Sequence, residues 1–235
     1  MARRRFLADR TDNDRAFLVG QNALHLARVL RAEVGQQFEI STGEHVRLGA
    51  IARISEDEVE LALGDVIDAA QTSGATLLIA VFKFDRFEWA IEKATELGCR
   101  DIVPLIARRT EKHLAQAAGK RVERWRRIAH EAAQQSRQVS SPAVHDPLPL
   151  KTALTQHPQG IVLSENEKEQ SLWTALTNTR STTFAIGPEG GWAPEELQQF
   201  SSGGWVSASL GTSILRAETA AIAALAIANQ FALDH

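Results

Sequence analysis

Hydrophobic and polar positions follow two different rhythms along this chain. In the first, the period is two. Gln37-Phe38-Glu39-Ile40-Ser41 alternates, residues 46–54 alternate again, and Val59-Glu60-Leu61-Ala62-Leu63 follows an acidic turn. Alternation of this kind, broken by turn residues such as Gly43-Glu44, predicts short antiparallel strands. A short helix is predicted over residues 22–30 inside this region. The small, polar run at 69–74 reads as a linker.

Beyond residue 74 the rhythm changes. Continuous apolar runs at 76–82, 101–106, 160–164, 183–186 and 205–210 have the look of buried strands. Helical patterns stand between and after them: one from Asp85 to Gly98, a long one over 119–138, one over 170–176, one after Pro194 and one over 217–231. Asp85 with Glu88 has capping-box spacing, Gly98 suits a helix stop, and proline suits the first helical position at 194. Strands alternating with helices predict an α/β fold with a mostly parallel sheet covered on both faces.

Two glycine-bearing segments punctuate the end of this second region. Ile186-Gly187-Pro188-Glu189-Gly190-Gly191-Trp192 and Leu210-Gly211-Thr212-Ser213-Ile214-Leu215-Arg216 each follow an apolar run and lead into a helical pattern. Glycine lets backbone approach a ligand closely. Two such loops at the same end of neighbouring strands predict a pocket, because ligands of open α/β sheets sit beyond the carboxyl ends of the strands.

Composition narrows the class. The 235 residues are 44% hydrophobic and 23% charged, enough for a core without a metal or disulfide staple. Cys99 is the only cysteine, so an intrachain disulfide is excluded and a cytoplasmic protein is expected. Its place at a helix end among apolar residues marks it as packed rather than reactive. No apolar run follows Met-Ala-Arg-Arg-Arg, so no secretory leader is expected, and the longest apolar stretch, 220–228, is too short to span a bilayer.

Net charge is −3, yet its distribution is uneven. Residues 1–31 carry a net +4, residues 119–137 another +4, and residues 33–68 hold nine acids against two arginines. Local basic clusters are what a phosphate backbone responds to, and a solvated helix face is the other reading of them. No P-loop lysine is present, and Gly187-x-x-Gly190-Gly191 is not a dinucleotide fingerprint. The seven histidines lack ligand spacing, so no metal is expected. Ser213 lacks a nucleophile elbow.

Four segments in this order resemble the bacterial 16S ribosomal RNA uracil-N3 methyltransferase family, of the knotted SPOUT class. They are residues 88–98 (Glu-Trp-Ala-Ile-Glu-Lys-Ala-Thr-Glu-Leu-Gly), 131–137 (Glu-Ala-Ala-Gln-Gln-Ser-Arg), 186–191 and 210–220. The likeness covers nearly the whole chain. It implies a PUA-like, RNA-binding β-barrel over 1–72, then a SPOUT methyltransferase domain over 73–235 whose C-terminal segment threads a trefoil knot. It also implies S-adenosyl-L-methionine as cofactor, 16S rRNA in the small ribosomal subunit as substrate, and a homodimer. Family members often carry a basic residue where Ser213 stands and an arginine where Gln138 stands, departures that touch RNA contacts rather than the cofactor loops.

The resemblance assigns the cofactor to Leu163, Ser164 and Glu165 with the adjacent Asn166, to Ile186, Gly187, Pro188, Gly190 and Gly191, and to Leu210, Gly211, Ile214 and Leu215. Arg216 is the cation expected to stabilise the charge that develops as the uridine N3 proton leaves; the bland reading is an ion pair with Glu218 or Glu189. Glu189 positions cofactor, assists proton removal, or braces its loop. Arg3, Arg4, Arg5, Arg109, Arg121, Arg124 and Arg137 are the expected phosphate contacts. Glu131 and Gln135, one helical turn apart, orient the target base or brace the knot. Another SPOUT RNA methyltransferase, acting on ribose 2′-OH or on tRNA, and a non-catalytic ribosome-assembly factor are the alternatives.

Overall fold

The computed structural model describes residues 4–67 and 74–234. The described residues separate into two compact units. One holds those through 67 together with Ala133–Ser141, and the other holds the rest. The predicted linker, apart from Gly74, and the expected boundary between 72 and 73 lie outside the described residues.

The first unit is built on a six-stranded sheet. Its strands are β1 (Arg5–Leu7), β2 (Arg10–Asp12), β3 (Arg15–Val19), β4 (Gln37–Ser41), β5 (Val46–Ile54) and β6 (Glu58–Ile67). They lie in the order β1-β4-β5-β6-β3-β2, antiparallel except for β1 beside β4. The alternation seen in the sequence puts Phe38, Ile40, Ile51, Val59 and Leu61 into one core with Phe6 and Leu18. The helix expected over 22–30 is α1 (Gly20–Leu24) running into a π-helical turn, His25–Val29. Leu26 is buried in the same core, and Leu30, four residues on, packs against it.

The second unit is a seven-stranded, wholly parallel sheet. Its strands are β7 (Thr76–Ala80), β8 (Asp101–Ile106), β9 (Ala143–Val144), β10 (Leu148–Pro149), β11 (Ile161–Leu163), β12 (Thr183–Ile186) and β13 (Val206–Ala208). The order is β10-β8-β7-β12-β11-β13, with β9 also on β8. Helices α2 (Phe84–Glu96), α3 (Lys112–Ala118), α4 (Val122–Gln135), α5 (Leu150–Gln156), α6 (Leu172–Thr179), α7 (Pro194–Ser202) and α8 (Ala217–Asp234) complete it, the last three residues of α4 being counted with the first unit. Alternate residues of each buried strand serve opposite faces. Leu77, Ile79, Phe184 and Ile186 pack with Phe87, Trp125 and Leu225, whereas Leu78, Val103, Val162 and Ala185 pack with Leu150, Phe200 and Trp205.

Two local expectations change. Asp85 does not cap α2: the helix already begins at Phe84, with Lys83 at the N-cap position and no side-chain cap, so Asp85 lies inside the first turn, while Glu88 pairs with Arg124 at 2.8 Å. The long helix over 119–138 begins earlier, as α3, and passes through a 3-10 turn at Gly119–Arg121 before α4. Among the described residues no helix is long and apolar enough to cross a membrane.

Candidate functional site

Strands β12 and β13 flank β11, all parallel, so Leu163, Ile186 and Ala208 end side by side. The loops that follow these three ends enclose one cavity of about 330 Å³. Leu163, Ser164, Glu165 and Asn166 line it from the first loop. Ile186, Gly187, Pro188, Glu189 and Gly191 line it from the second, and Leu210, Gly211, Ser213, Ile214, Leu215 and Arg216 from the third. Gly190 does not; its carbonyl instead accepts a hydrogen bond from Arg109 Nη1 at 2.6 Å.

Buried tertiary contacts set the loop positions. The Trp192 indole lines the cavity, donates Nε1 to the Leu163 carbonyl at 3.0 Å, and meets Phe200 edge-on at 4.8 Å. It therefore ties the second loop to the end of β11. Buried Glu196 accepts from the backbone N–H of Ala193 at 2.9 Å and of Arg108 at 2.7 Å, joining the start of α7 to the loop after β8. Ser209 pairs with Gln170 and Leu172 through backbone hydrogen bonds of 2.8 and 2.9 Å, joining the third loop to the start of α6.

The cavity walls are apolar on Leu163, Ile186, Leu210 and Leu215 and charged at the rim. Arg86, from the first turn of α2, reaches the cavity and pairs with Glu189 at 2.6 Å. Its Nε lies 3.9 Å from Glu218, which is 6% exposed and leaves Oε2 without a hydrogen-bond partner. Both carboxylates considered as partners for Arg216 thus face Arg86, and Arg216 lines the cavity with no ion pair among the described residues. Sequence reasoning passed over Arg86 and Trp192. The one readable signal for Arg86 was a cation in a helix's first turn, where the macrodipole disfavours it.

The remaining assigned residues are not among those lining the cavity. Arg121 and Arg124 both pair with Glu88, Arg124 with both nitrogens. Arg5 and Arg137 share Glu39 at 3.1 and 2.7 Å. Burial pushes the Glu39 carboxyl up, but hydrogen bonds from Arg137 and Arg5 outweigh it and hold the group below its ordinary value. Arg4 is exposed beside His25 at 3.5 Å. Glu131 and Gln135 are exposed on α4. Arg3 lies outside the described residues. Among those described, no cluster of His, Cys, Asp or Glu could hold a metal ion.

A family model described as an RNA methyltransferase domain matches residues 70–229. The chain is 30% identical over 223 residues to a Rickettsia conorii protein named ribosomal RNA small subunit methyltransferase E, covering 92% of this chain and 89% of that one. A Mesomycoplasma hyopneumoniae protein of the same name is 35% identical over 147 residues, 62% of this chain and 65% of its own length. The crystal structure of a Neisseria gonorrhoeae protein of that name, bound to S-adenosyl methionine, superposes with a TM-score of 0.81 at 26% identity, covering 97% of both chains.

Proposed function

This chain belongs to the RNA methyltransferase family, and we propose that it transfers a methyl group from S-adenosyl-L-methionine to N3 of a uridine in the 16S rRNA of the small ribosomal subunit. The observation that carries this reading is the convergence of three loops, from three adjacent strand ends, on one cavity. Its size and its mix of apolar walls with converging polar side chains suit a small-molecule site. The aliphatic walls fit an adenine ring, and the carboxylates of Glu165 and Glu189 at the rim complement a ligand bearing sulfonium and ammonium charges.

When bound, the cofactor supplies an electrophilic methyl group. The chain's own residues do the rest. The three loops hold the donor in one orientation, which converts a bimolecular encounter into a positioned one. Arg216, which has no carboxylate partner among the described residues, stabilises negative charge on the pyrimidine as its N3 proton departs. Glu189, tied to Arg86, braces its loop against α2. Uridine N3 lies on the pairing edge, so the target is unpaired or flipped out. Arg109, Arg121 and Arg124 are read as phosphate contacts, with Arg121 and Arg124 exchanging Glu88 for RNA.

The same reading takes the first unit as a PUA-like RNA-binding barrel and the second as a SPOUT domain. The return of the chain from β13, beside the loop entering α6, supports a threaded knot. A cytoplasmic homodimer acting on the small subunit completes it. The test is nucleoside mass spectrometry after incubating the protein with S-adenosylmethionine and small subunits from cells lacking this enzyme. N3-methyluridine is expected. Its absence, with calorimetric cofactor uptake intact, overturns the substrate. Arg216→Ala should lower turnover about 10²-fold or more with cofactor uptake retained; near-normal turnover overturns its role.

A further inference from the structure

The first unit carries its arginines in two different electrostatic states. Arg5 and Arg137 share Glu39, Arg10 and Arg53 reach Glu58, Arg15 and Arg53 reach Glu60, and Arg47 reaches Asp14. Arg10 is additionally stacked over the Phe17 ring at 3.7 Å. Among the described residues, three arginines of this unit have no carboxylate partner: Arg4, Arg28 and Arg31. All three are exposed.

These three are neighbours on one structural feature. Arg28 lies in the π-helical turn and Arg31 stands two residues past its end, after Leu30. Arg4 reaches His25, the first residue of the same turn, at 3.5 Å. Leu26 and Leu30 are held by the core, which fixes the turn from behind. Arg31 stands at φ +48°, a left-handed conformation that costs an L-residue about 1–2 kcal/mol. Val29 and Val34, each 66% exposed, lie beside the charges and offer apolar contact.

We infer that the π-helical turn, through Arg28, Arg31 and Arg4, is the surface by which this unit grips the RNA backbone. A cation already engaged by a carboxylate must give up that partner to meet a phosphate. An unpaired cation forfeits only hydration, so affinity and its salt dependence concentrate where cations are free. This moves the expected contact from Arg5 and Arg137, which serve as a clasp on Glu39, to two residues outside the earlier assignment. The inference rests on the RNA methyltransferase reading.

The test measures filter binding of a 16S rRNA transcript across a salt titration. Arg28→Gln with Arg31→Asn, asparagine tolerating the left-handed backbone, should weaken binding about tenfold or more. It should also flatten the log Kd against log salt slope by about 1.4, the loss of two single-strand phosphate contacts. Arg28→Gln alone, at an ordinary backbone position, should flatten it by about 0.7 and guards against misfolding at residue 31. Arg28→Lys with Arg31→Lys should keep the slope. Arg10→Gln with Arg15→Gln, whose arginines are already paired, should leave it unchanged. An unchanged slope in the first two variants, or an equal loss in the last, overturns the inference. Calorimetry of the unaltered protein with S-adenosylmethionine separates the two levels: absent cofactor uptake sinks the methyltransferase reading, whatever the RNA slopes show.

Discussion

Three glycines in the loop after β12 should respond differently to one added methyl group, and the order of their responses tests the cofactor site. Gly191 stands at φ +70°, where alanine costs about 1–2 kcal/mol. A Cβ there would also sit 2.5 Å from Glu165 Oε1. That carboxylate is the free end of an exposed side chain, so it swings aside cheaply but leaves the cavity rim. The strain disfavours the loop shape that lines the cavity by about tenfold, since 1.4 kcal/mol is a factor of ten, and cofactor Kd should rise by about that factor in Gly191→Ala.

At Gly187 the backbone is ordinary, but a Cβ would lie 3.2 Å from the Trp192 ring. That ring cannot yield readily, being held by the Leu163 carbonyl and by Phe200. Relieving a few tenths of an ångström costs about 1 kcal/mol, which lowers Tm by about 2–4 °C and displaces a cavity wall. At Gly190 the nearest atom is Arg109 Cδ at 3.5 Å, an ordinary contact, and φ is not left-handed. Gly190→Ala should leave Kd within about twofold. Titration calorimetry with S-adenosylmethionine and thermal melts read all three. Equal losses at 190 and 191, or an unchanged Kd in Gly191→Ala, would refute the assignment of this loop.

Removing Arg86 leaves Glu189 and the buried Glu218 without their shared counter-charge; Arg86→Ala should cost about 2 kcal/mol in a urea titration, because the Arg86–Glu189 pair is about a third exposed and worth little, while the Glu218 carboxylate is buried and would be left uncompensated. Full stability in that variant would deny Arg86 its bracing role. Glu39 titrates below its ordinary value of 4.5 in the folded chain, so its contribution is complete above that value and lost as pH falls through the folded one. Glu39→Gln should therefore be less stable at pH 7 and show a shallower acid limb in melts below about pH 4.5; an unchanged limb would remove the Arg5–Glu39–Arg137 clasp from the account. Burial, and to a lesser degree Asp101, pushes the Cys99 thiol up to about 12. Alkylation by iodoacetamide at pH 8 should wait for unfolding, and prompt labelling of the native protein would contradict the packing at the end of α2.

The chain disclosed what local physics governs and hid what distant residues decide. Period-two alternation placed β4 and β5 to the residue, because one face of each is buried and a slip of one would expose Ile40 and Ile51. Strand ends followed by glycine placed the cavity loops for the same reason: the backbone requirement is written in the loop itself. Three-residue β1 and β2 carry too few positions for a period, and β1 depends on a parallel partner thirty-four residues away. The expected cap on α2 failed because the helix begins at Phe84, which puts Asp85 inside its first turn, and Glu88 is engaged by the distant Arg124. Arg86, Trp192 and Glu196 have the same character: each acts on a loop outside its own element. Charge was the least legible. Arg5 and Arg28 look alike in a count of basic residues, yet Glu39 neutralises one and no described carboxylate neutralises the other. A sequence lists its cations, and only the fold tells which of them are still free to bind a phosphate.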